Sequence, residues 1–326
     1  MSASSILKIS QLDLPAPLVV IVGPTAVGKT EIALQVAERL GGEIVSADSR
    51  LFYRGMDIGT AKPAPADRSR VPHHLVDVTE PDQVWSLAIF QREAARAIEE
   101  IQSRDRLPLL VGGTGQYVRA VLQGWDIPAQ APDPELRVAL ENWAEAVTPA
   151  GLHRRLAVLD PEAASAIDPR NVRRTIRAIE VILRTGRRFS TQRQRVDSPY
   201  TLMVIGLKRP RAELYQRVDQ RIQAMLDAGF IEEVRGLLAR GFSPNLSTLS
   251  AIGYREIVAY LKGRMTLDEA VTQMKRQTRR YIRQQGAWFS EKDPDIHWFD
   301  VGPETVDQIE RLIRDRSAWS LPGSGH

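Results

Sequence analysis

Apolar residues fall into two rhythms along this chain. Short unbroken runs, "LVVIV" at 18–22, the start of "EIVSADS" at 43–49 and "LPLLV" at 107–111, alternate with stretches of helical spacing after Lys29 and near 85–103. Unbroken apolar runs set between helical periods predict strands buried on both faces, and so an α/β fold with a parallel sheet flanked by helices. Three prolines in "GWDIPAQAPDPEL" at 124–136 mark a crossing into something else. From about 134 to 195 the pattern is helical and increasingly basic, with no strand signal. One strand-like run, "YTLMVIGLKRP" at 200–210, then predicts that the sheet resumes after a helical insertion. Residues 211–290 read as further helices, with Gly229 as a cap, a second helix ending at Gly241 and a long basic helix over 267–288. The expected organisation is a sheet core of 17–125 and 199–318, an all-helical insertion of 126–198, and mobile ends at 1–16 and 319–326.

Composition narrows the class. The 326 residues are 43% hydrophobic and 26% charged, with no apolar run long enough to span a bilayer, which predicts a globular protein without membrane attachment. "MSASSILKIS" carries one lysine and no sustained apolar stretch, so it does not read as a signal peptide. The absence of cysteine excludes disulfides, thiolate zinc sites and iron–sulfur clusters, and leaves a cytoplasmic enzyme as the expectation. The net charge of +4 hints at a polyanionic partner, and its distribution matters more. Residues 170–195 hold nine arginines against one acid, Glu180.

Chemistry enters with Gly23-Pro24-Thr25-Ala26-Val27-Gly28-Lys29-Thr30, which fits the phosphate-cradling pattern G-x-x-x-x-G-K-[ST] between a strand and a helix. Backbone N–H groups at the helix start suit phosphate oxygens, Lys29 supplies a point charge and the Thr30 hydroxyl suits Mg²⁺. Most such cradles bind ATP or GTP, and a nucleotide hydrolase usually ends a second apolar strand in a metal-supporting Asp. Here that strand runs into Gly112-Gly113-Thr114-Gly115, and the acid, Asp48, ends the other strand instead. Asp48 fits a metal ligand, a base, or a turn-capping side chain. The glycine turn fits a second backbone-exposing edge on the same cavity, or an ordinary strand end.

Two basic stretches follow. Arg170, Arg174 and Arg177 fall at i, i+4 and i+7 with Arg173 beside them, predicting one arginine face that suits a phosphate backbone; the alternative is a solvated helix neutralised by acids from elsewhere. "KRQTRRYIRQQGAWF" interleaves Lys275, Arg276, Arg279, Arg280 and Arg283 with Tyr281, Trp288 and Phe289, which fits either base stacking or an aromatic stripe packed on the core.

Taken in order, "GPTAVGKT", "SADS" with "YRGMDIGTAKP", "PHHLVDV", "VGGTGQYV", "RRTIRAIEV" and "SAIGYRE" resemble the tRNA dimethylallyltransferases, also called tRNA isopentenyltransferases, over almost the whole chain. The resemblance implies a P-loop NTPase-like fold that transfers a dimethylallyl group from its diphosphate to N6 of adenosine 37 in tRNAs reading codons that begin with U. It implies that the cradle holds a departing diphosphate with Mg²⁺ on Thr30, that Asp48 is the general base, and that the Thr25 hydroxyl and Arg221, or Arg217 one turn earlier, assist the leaving group. It further implies tRNA contacts from Asp48, Ser49, Arg50, Leu51, Thr114, Arg137, Arg173, Arg174, Thr175, Ile176, Arg177, Ser250, Ala251, Ile252, Gly253, Tyr254 and Arg255. By the same resemblance the target adenine is flipped into a channel between two domains, the insertion clasps the anticodon stem-loop, and the protein is a monomer. Arg50-Leu51 stand where the family often has Met-Gln, and Gln116 where an apolar residue is commoner. The zinc finger of eukaryotic members has no counterpart in a chain without cysteine, which points to the bacterial branch.

Three other readings compete. An adenylate isopentenyltransferase shares the donor and takes a free nucleotide, a P-loop kinase has no role for "GMDIGTAKP", and a non-catalytic RNA-binding protein has no need of Asp48, Thr25 and Lys29 together.

Overall fold

The computed structural model describes residues 16–83, 85–125, 133–192 and 198–315. Of the two ends expected to be mobile, 1–15 and all of 319–326 lie outside the described residues, as does most of the proline-rich crossing, 126–132. Ala16, included in the expected mobile end, instead opens the first strand.

Six strands form one all-parallel sheet: β1 Ala16–Val22, β2 Gly42–Ser46, β3 His73–His74, β4 Leu107–Val111, β5 Tyr200–Lys208 and β6 Ile296–Asp300, in the order β3-β2-β4-β1-β5-β6. β1 is central and its residues 18–22 are completely buried, which is why it reads as an unbroken apolar run. Helices α1 Lys29–Leu40, α2 Pro65–Arg70, α3 Leu87–Gln102 and α4 Gly115–Leu122 connect the first strands. The helices α5 Pro134–Val147, α6 Pro149–Leu159, α7 Pro161–Ala166 and α8 Val172–Thr185 intervene before β5. Then come α9 Arg211–Asp227, α10 Phe230–Ala239, α11 Tyr254–Leu261, α12 Leu267–Gln285 and α13 Thr305–Arg314. Gly229, with φ 94°, separates α9 from α10, and Gly241, with φ 89°, follows α10. α12 ends three residues before the expected 288.

Contacts divide the chain into two compact units. One holds the sheet; the other comprises Ser86–Phe90 and Gln123–Asp197. The helical unit has its own core, built by Leu140, Leu152, Leu156, Ile176 and Ile179 among others. Each of its helices starts on a side-chain cap: Asp133 accepts from Leu136 N, Thr148 from Gly151 N, Asp160 from Ala163 N and Asn171 from Arg174 N. Such caps contribute about 1 kcal/mol each.

Candidate active site

β1, β2 and β4 end level, with Ile21 and Ser46 both opposite Val111, so three loops leave the carboxyl edge of the sheet side by side. Ligands of open α/β sheets bind at this edge.

The first loop is the cradle. Its carbonyls are gripped: Lys29 Nζ donates to Gly23 O at 3.0 Å and Pro24 O at 2.9 Å, Arg217 Nε to Ala26 O at 2.7 Å, and Arg209 Nε to Val27 O at 2.9 Å. Ala26 takes a left-handed φ of 67°, a conformation a non-glycine residue holds only when its surroundings fix it. With the carbonyls engaged, the N–H groups opening α1 are what the loop can offer an anion. Thr30, in the first turn of α1, is exposed.

Arg217 thus holds the cradle backbone through one of its five N–H donors. Arg221, one turn later on α9, donates to Thr60 O at 3.2 Å and faces the charges of Lys29 and Asp48. Burial lowers the Arg221 pKa, and Asp48 opposes that shift. Asp48, half-buried just past the end of β2, accepts the Arg50 N–H at 3.0 Å through Oδ1. It thus caps its turn and also presents negative charge to two cations of the cradle region. Burial lowers the Lys29 pKa to about 8; Asp48 pulls it upward and Arg221 pushes it down.

That value makes a prediction. A bound diphosphate stabilises the ammonium and so raises the Lys29 pKa, which means the unliganded protein must take up a proton wherever Lys29 is neutral. The proton uptake contributed by Lys29, over and above the titration of diphosphate itself, should be small near pH 7 and approach about one proton near pH 9, with affinity falling over the same range. Calorimetry in buffers of different ionisation enthalpy measures it, and Lys29→Met should abolish the uptake.

The second loop, 112–115, is tight because its neighbours are close. A Cβ on Gly113 would lie 2.5 Å from Gln285 Nε2, and one on Gly115 would lie 2.2 Å from the Trp288 ring. Trp288 and Phe289 are core-packing aromatics here, with Phe289 buried and Arg119 lying 5.7 Å over the Trp288 ring. Gln285 joins this loop to the cradle: Oε1 accepts Thr25 N–H at 2.8 Å and Nε2 donates to Gly113 O at 2.9 Å. Tyr281, one turn earlier on α12, has its hydroxyl within hydrogen-bonding reach of Thr114 and Gln285, and burial raises its pKa.

The third loop carries "GMDIGTAKP". Glu233 of α10 accepts the N–H groups of Asp57 at 2.8 Å, Ile58 at 2.6 Å and Gly59 at 3.2 Å, and the Tyr254 hydroxyl at 2.6 Å. Lys62, its side chain 2% exposed, sits between the carboxylates of Asp57 and Asp77 and donates to Tyr53 O at 2.9 Å. Between these two anchors lies Thr60, whose carbonyl receives Arg221. Sequence reading missed Gln285, Glu233 and Lys62. For Gln285 a signal existed, since it lies on the buried stripe of α12 with Met274 and Ile282.

Several expected RNA contacts are placed differently. Arg170 precedes α8 and pairs with Asp168 at 2.8 Å, so it shares no helix face with Arg174 and Arg177. Glu180, completely buried, takes Arg137 at 3.0 Å and Arg177 at 2.8 Å as well as the Asp133 N–H at 2.8 Å. Burial pushes the Glu180 carboxyl up, but these hydrogen bonds outweigh it and leave the pKa lowered. Thr175 and Ile176 are core residues; Arg173 and Arg174 are exposed and carry no ion pair among the described residues. In the sheet unit, Ala251, Gly253 and Tyr254 are buried, and the Tyr254 side chain supports the 57–59 loop rather than a surface. Ser250 and Arg255 are exposed and Ile252 half-buried, with Arg255 paired to Glu256 at 2.6 Å. Ser49, Arg50 and Leu51 are half-buried, and Arg50 reaches Thr248 O at 3.4 Å. Gln116 is exposed.

Comparison with known proteins decides the family. Residues 51–292 match the IPP transferases. The chain belongs to the IPP transferase family. It is 52% identical over 273 residues to a tRNA dimethylallyltransferase of Roseiflexus sp. (strain RS-1), covering 84% of this chain and 90% of that one. A solved tRNA isopentenylpyrophosphate transferase of Bacillus halodurans is similar with a TM-score of 0.68 and 42% identity, covering 91% and 95% of the two chains. A eukaryotic dimethylallyltransferase acting on tRNA has a TM-score of 0.78 at 24% identity, covering 95% and 81%, a likeness of fold. As an IPP transferase the chain is an enzyme, and the α/β fold with its parallel sheet is the one its residues imply. Among the described residues no helix is long and apolar enough to cross a membrane.

Proposed function

We propose that this IPP transferase moves a dimethylallyl group from dimethylallyl diphosphate to N6 of adenosine 37, in tRNAs reading codons that begin with U. The observation that carries the reading is the level carboxyl edge of β1, β4 and β2, from which the cradle with Lys29 and the loop with Asp48 both leave, the charge of Asp48 acting on Lys29 and Arg221. It brings a carboxylate able to accept a proton next to cations able to hold a leaving anion.

In the reaction the adenine N6 lone pair attacks C1 of the dimethylallyl group. The C1–O bond breaks with its electrons leaving on diphosphate, and the N6 proton passes to the Asp48 carboxylate. The products are N6-(dimethylallyl)adenosine and diphosphate. Cradle N–H groups, Lys29, the Thr25 hydroxyl and Arg221 are charges and dipoles fixed in advance where negative charge grows, the most effective form of catalytic stabilisation. Arg217 supports the same loop from behind through Ala26 O.

Among the described residues no three His, Asp or Glu side chains converge on a metal-sized site. The donor set fits Mg²⁺ all the same, because Mg²⁺ commonly takes one or two protein oxygens and completes its shell with substrate phosphates and water. Thr30 would hold it, and when bound it supplies positive charge to the departing diphosphate. Acting on tRNA, the protein would work in the cytoplasm, as a monomer.

The test is transfer of labelled dimethylallyl diphosphate, with Mg²⁺, to three acceptors: an unmodified tRNA with A36-A37-A38, the same tRNA carrying G37, and AMP. Label in the A37 tRNA alone is expected. Label in AMP would favour a free-nucleotide acceptor, and no label with ATP consumed in parallel would overturn the reading.

For RNA affinity, Arg174→Ala should weaken tRNA binding with turnover at saturation spared. The slope of log K against log salt should flatten by about 0.7–0.9, one phosphate contact. Filter binding across a salt series measures it; an unchanged slope places the contact elsewhere.

A further inference from the structure

The Gln285 carboxamide is 6% exposed and spans two loops, accepting Thr25 N–H through Oε1 and donating to Gly113 O through Nε2. We propose that Gln285 is a positioning residue for the transfer step: by tying the Thr25 peptide to the Gly113 loop it aims the Thr25 hydroxyl at the leaving diphosphate. The inference rests on the reaction proposed above.

Several observations support a positioning role. The orientation of the amide is fixed by chemistry, since one neighbour is a donor and the other an acceptor, so flipping the group would lose both bonds. Water has little access to replace it. The bonded atom is the backbone N of a β-branched residue, and threonine has few χ1 choices, so fixing its peptide largely fixes its hydroxyl. Ala26 follows at once in a left-handed conformation, so this part of the loop does not settle into its shape by local preference. The attachment comes from α12, whose Tyr281 also reaches Thr114, so a single helix end holds both loops.

A clamp that merely stabilises the fold and one that orients Thr25 give different results in kinetics. Gln285→Leu is close in volume and removes both hydrogen bonds, along with the contact to Tyr281. In steady-state transfer to an A37 tRNA, kcat should fall about 30-fold with KM for tRNA little changed. If Gln285 acts through Thr25, adding Gln285→Leu to Thr25→Val should cost less than about 3-fold beyond Thr25→Val alone. Multiplicative losses in the double variant would overturn the proposal.

Gln285→Glu supplies an independent readout should the leucine variant fold poorly. A protonated carboxyl can donate to Gly113 O and accept Thr25 N–H, restoring both bonds, whereas a carboxylate cannot donate. Burial favours the protonated form and the Lys29 ammonium beside Gly113 the charged one, so the activity of this variant relative to the unsubstituted protein should rise as pH falls from about 8 to about 5 and the carboxyl gains its proton. A flat ratio would overturn the proposal. Failure of the unsubstituted protein to transfer at all would instead overturn the reaction and this inference together.

Discussion

Asp48→Asn should lower turnover by about a thousandfold, within the range for removing a general base, while tRNA affinity stays within about twofold. Asparagine is the informative choice because its carbonyl oxygen can still accept the Arg50 N–H that Asp48 Oδ1 now accepts at 3.0 Å, so the turn keeps its cap. What is lost is the negative charge facing Lys29 and Arg221. Asp48 raises the Lys29 pKa against its burial, so the variant's Lys29 should titrate below about 8 and its diphosphate affinity should begin to fall at lower pH. Single-turnover transfer beside equilibrium tRNA binding separates the two effects. A collapse of tRNA binding with the chemical step intact would make Asp48 an RNA contact and remove it as the base.

Glu233→Ala should cost about 3 kcal/mol of stability and, with it, most of the activity at physiological temperature. The side chain accepts three consecutive backbone N–H groups and the Tyr254 hydroxyl. Its removal leaves the half-buried Ile58 and Gly59 donors and the Tyr254 hydroxyl without their acceptor, beside Phe230 and Tyr254, whose rings meet edge to face at 5.0 Å and leave no room for a Cβ on Gly59. The functional effect follows through Thr60, next in the chain, whose carbonyl receives Arg221 at 3.2 Å. Glu233→Gln keeps the shape but turns an amide N–H₂ toward groups that are themselves donors, so it should recover only part of the loss. Thermal unfolding and kcat measured below the transition distinguish the two contributions. A stable Ala variant with normal kcat would show that the 57–60 loop holds its shape without this carboxylate.

How far the sequence could be read depended on the distance between partners. β1, β2, β4 and β5 were legible because each is a buried strand with its own apolar run. β3 has two residues, and β6 lies at a sheet edge with His297 and Asp300 exposed, so neither has such a run. The placement of Lys29, Thr30 and Asp48 at the sheet edge was legible because the cradle and the strand end are local patterns. Glu233 was not, and Gln285 showed only as a polar residue on an apolar stripe, since their partners lie 174–176 and 260 residues away. The arginine-rich segment shows a different failure. Charge was visible, but the helix start at Val172 removed Arg170 from the face, and the buried Glu180 claimed Arg177.

The bond between Thr25 and Gln285 also has a consequence for how the protein comes into being. Ribosomes deliver the cradle early and α12 late, and the central strand β1 must wait for β5, beyond the whole helical unit, before its second edge is covered. Loop closure across such separations is slow compared with forming local helices. A nascent chain can therefore build its helical unit while the cradle still lacks its clamp. Chains halted before residue 285 would carry an almost complete phosphate-binding motif that has never been closed.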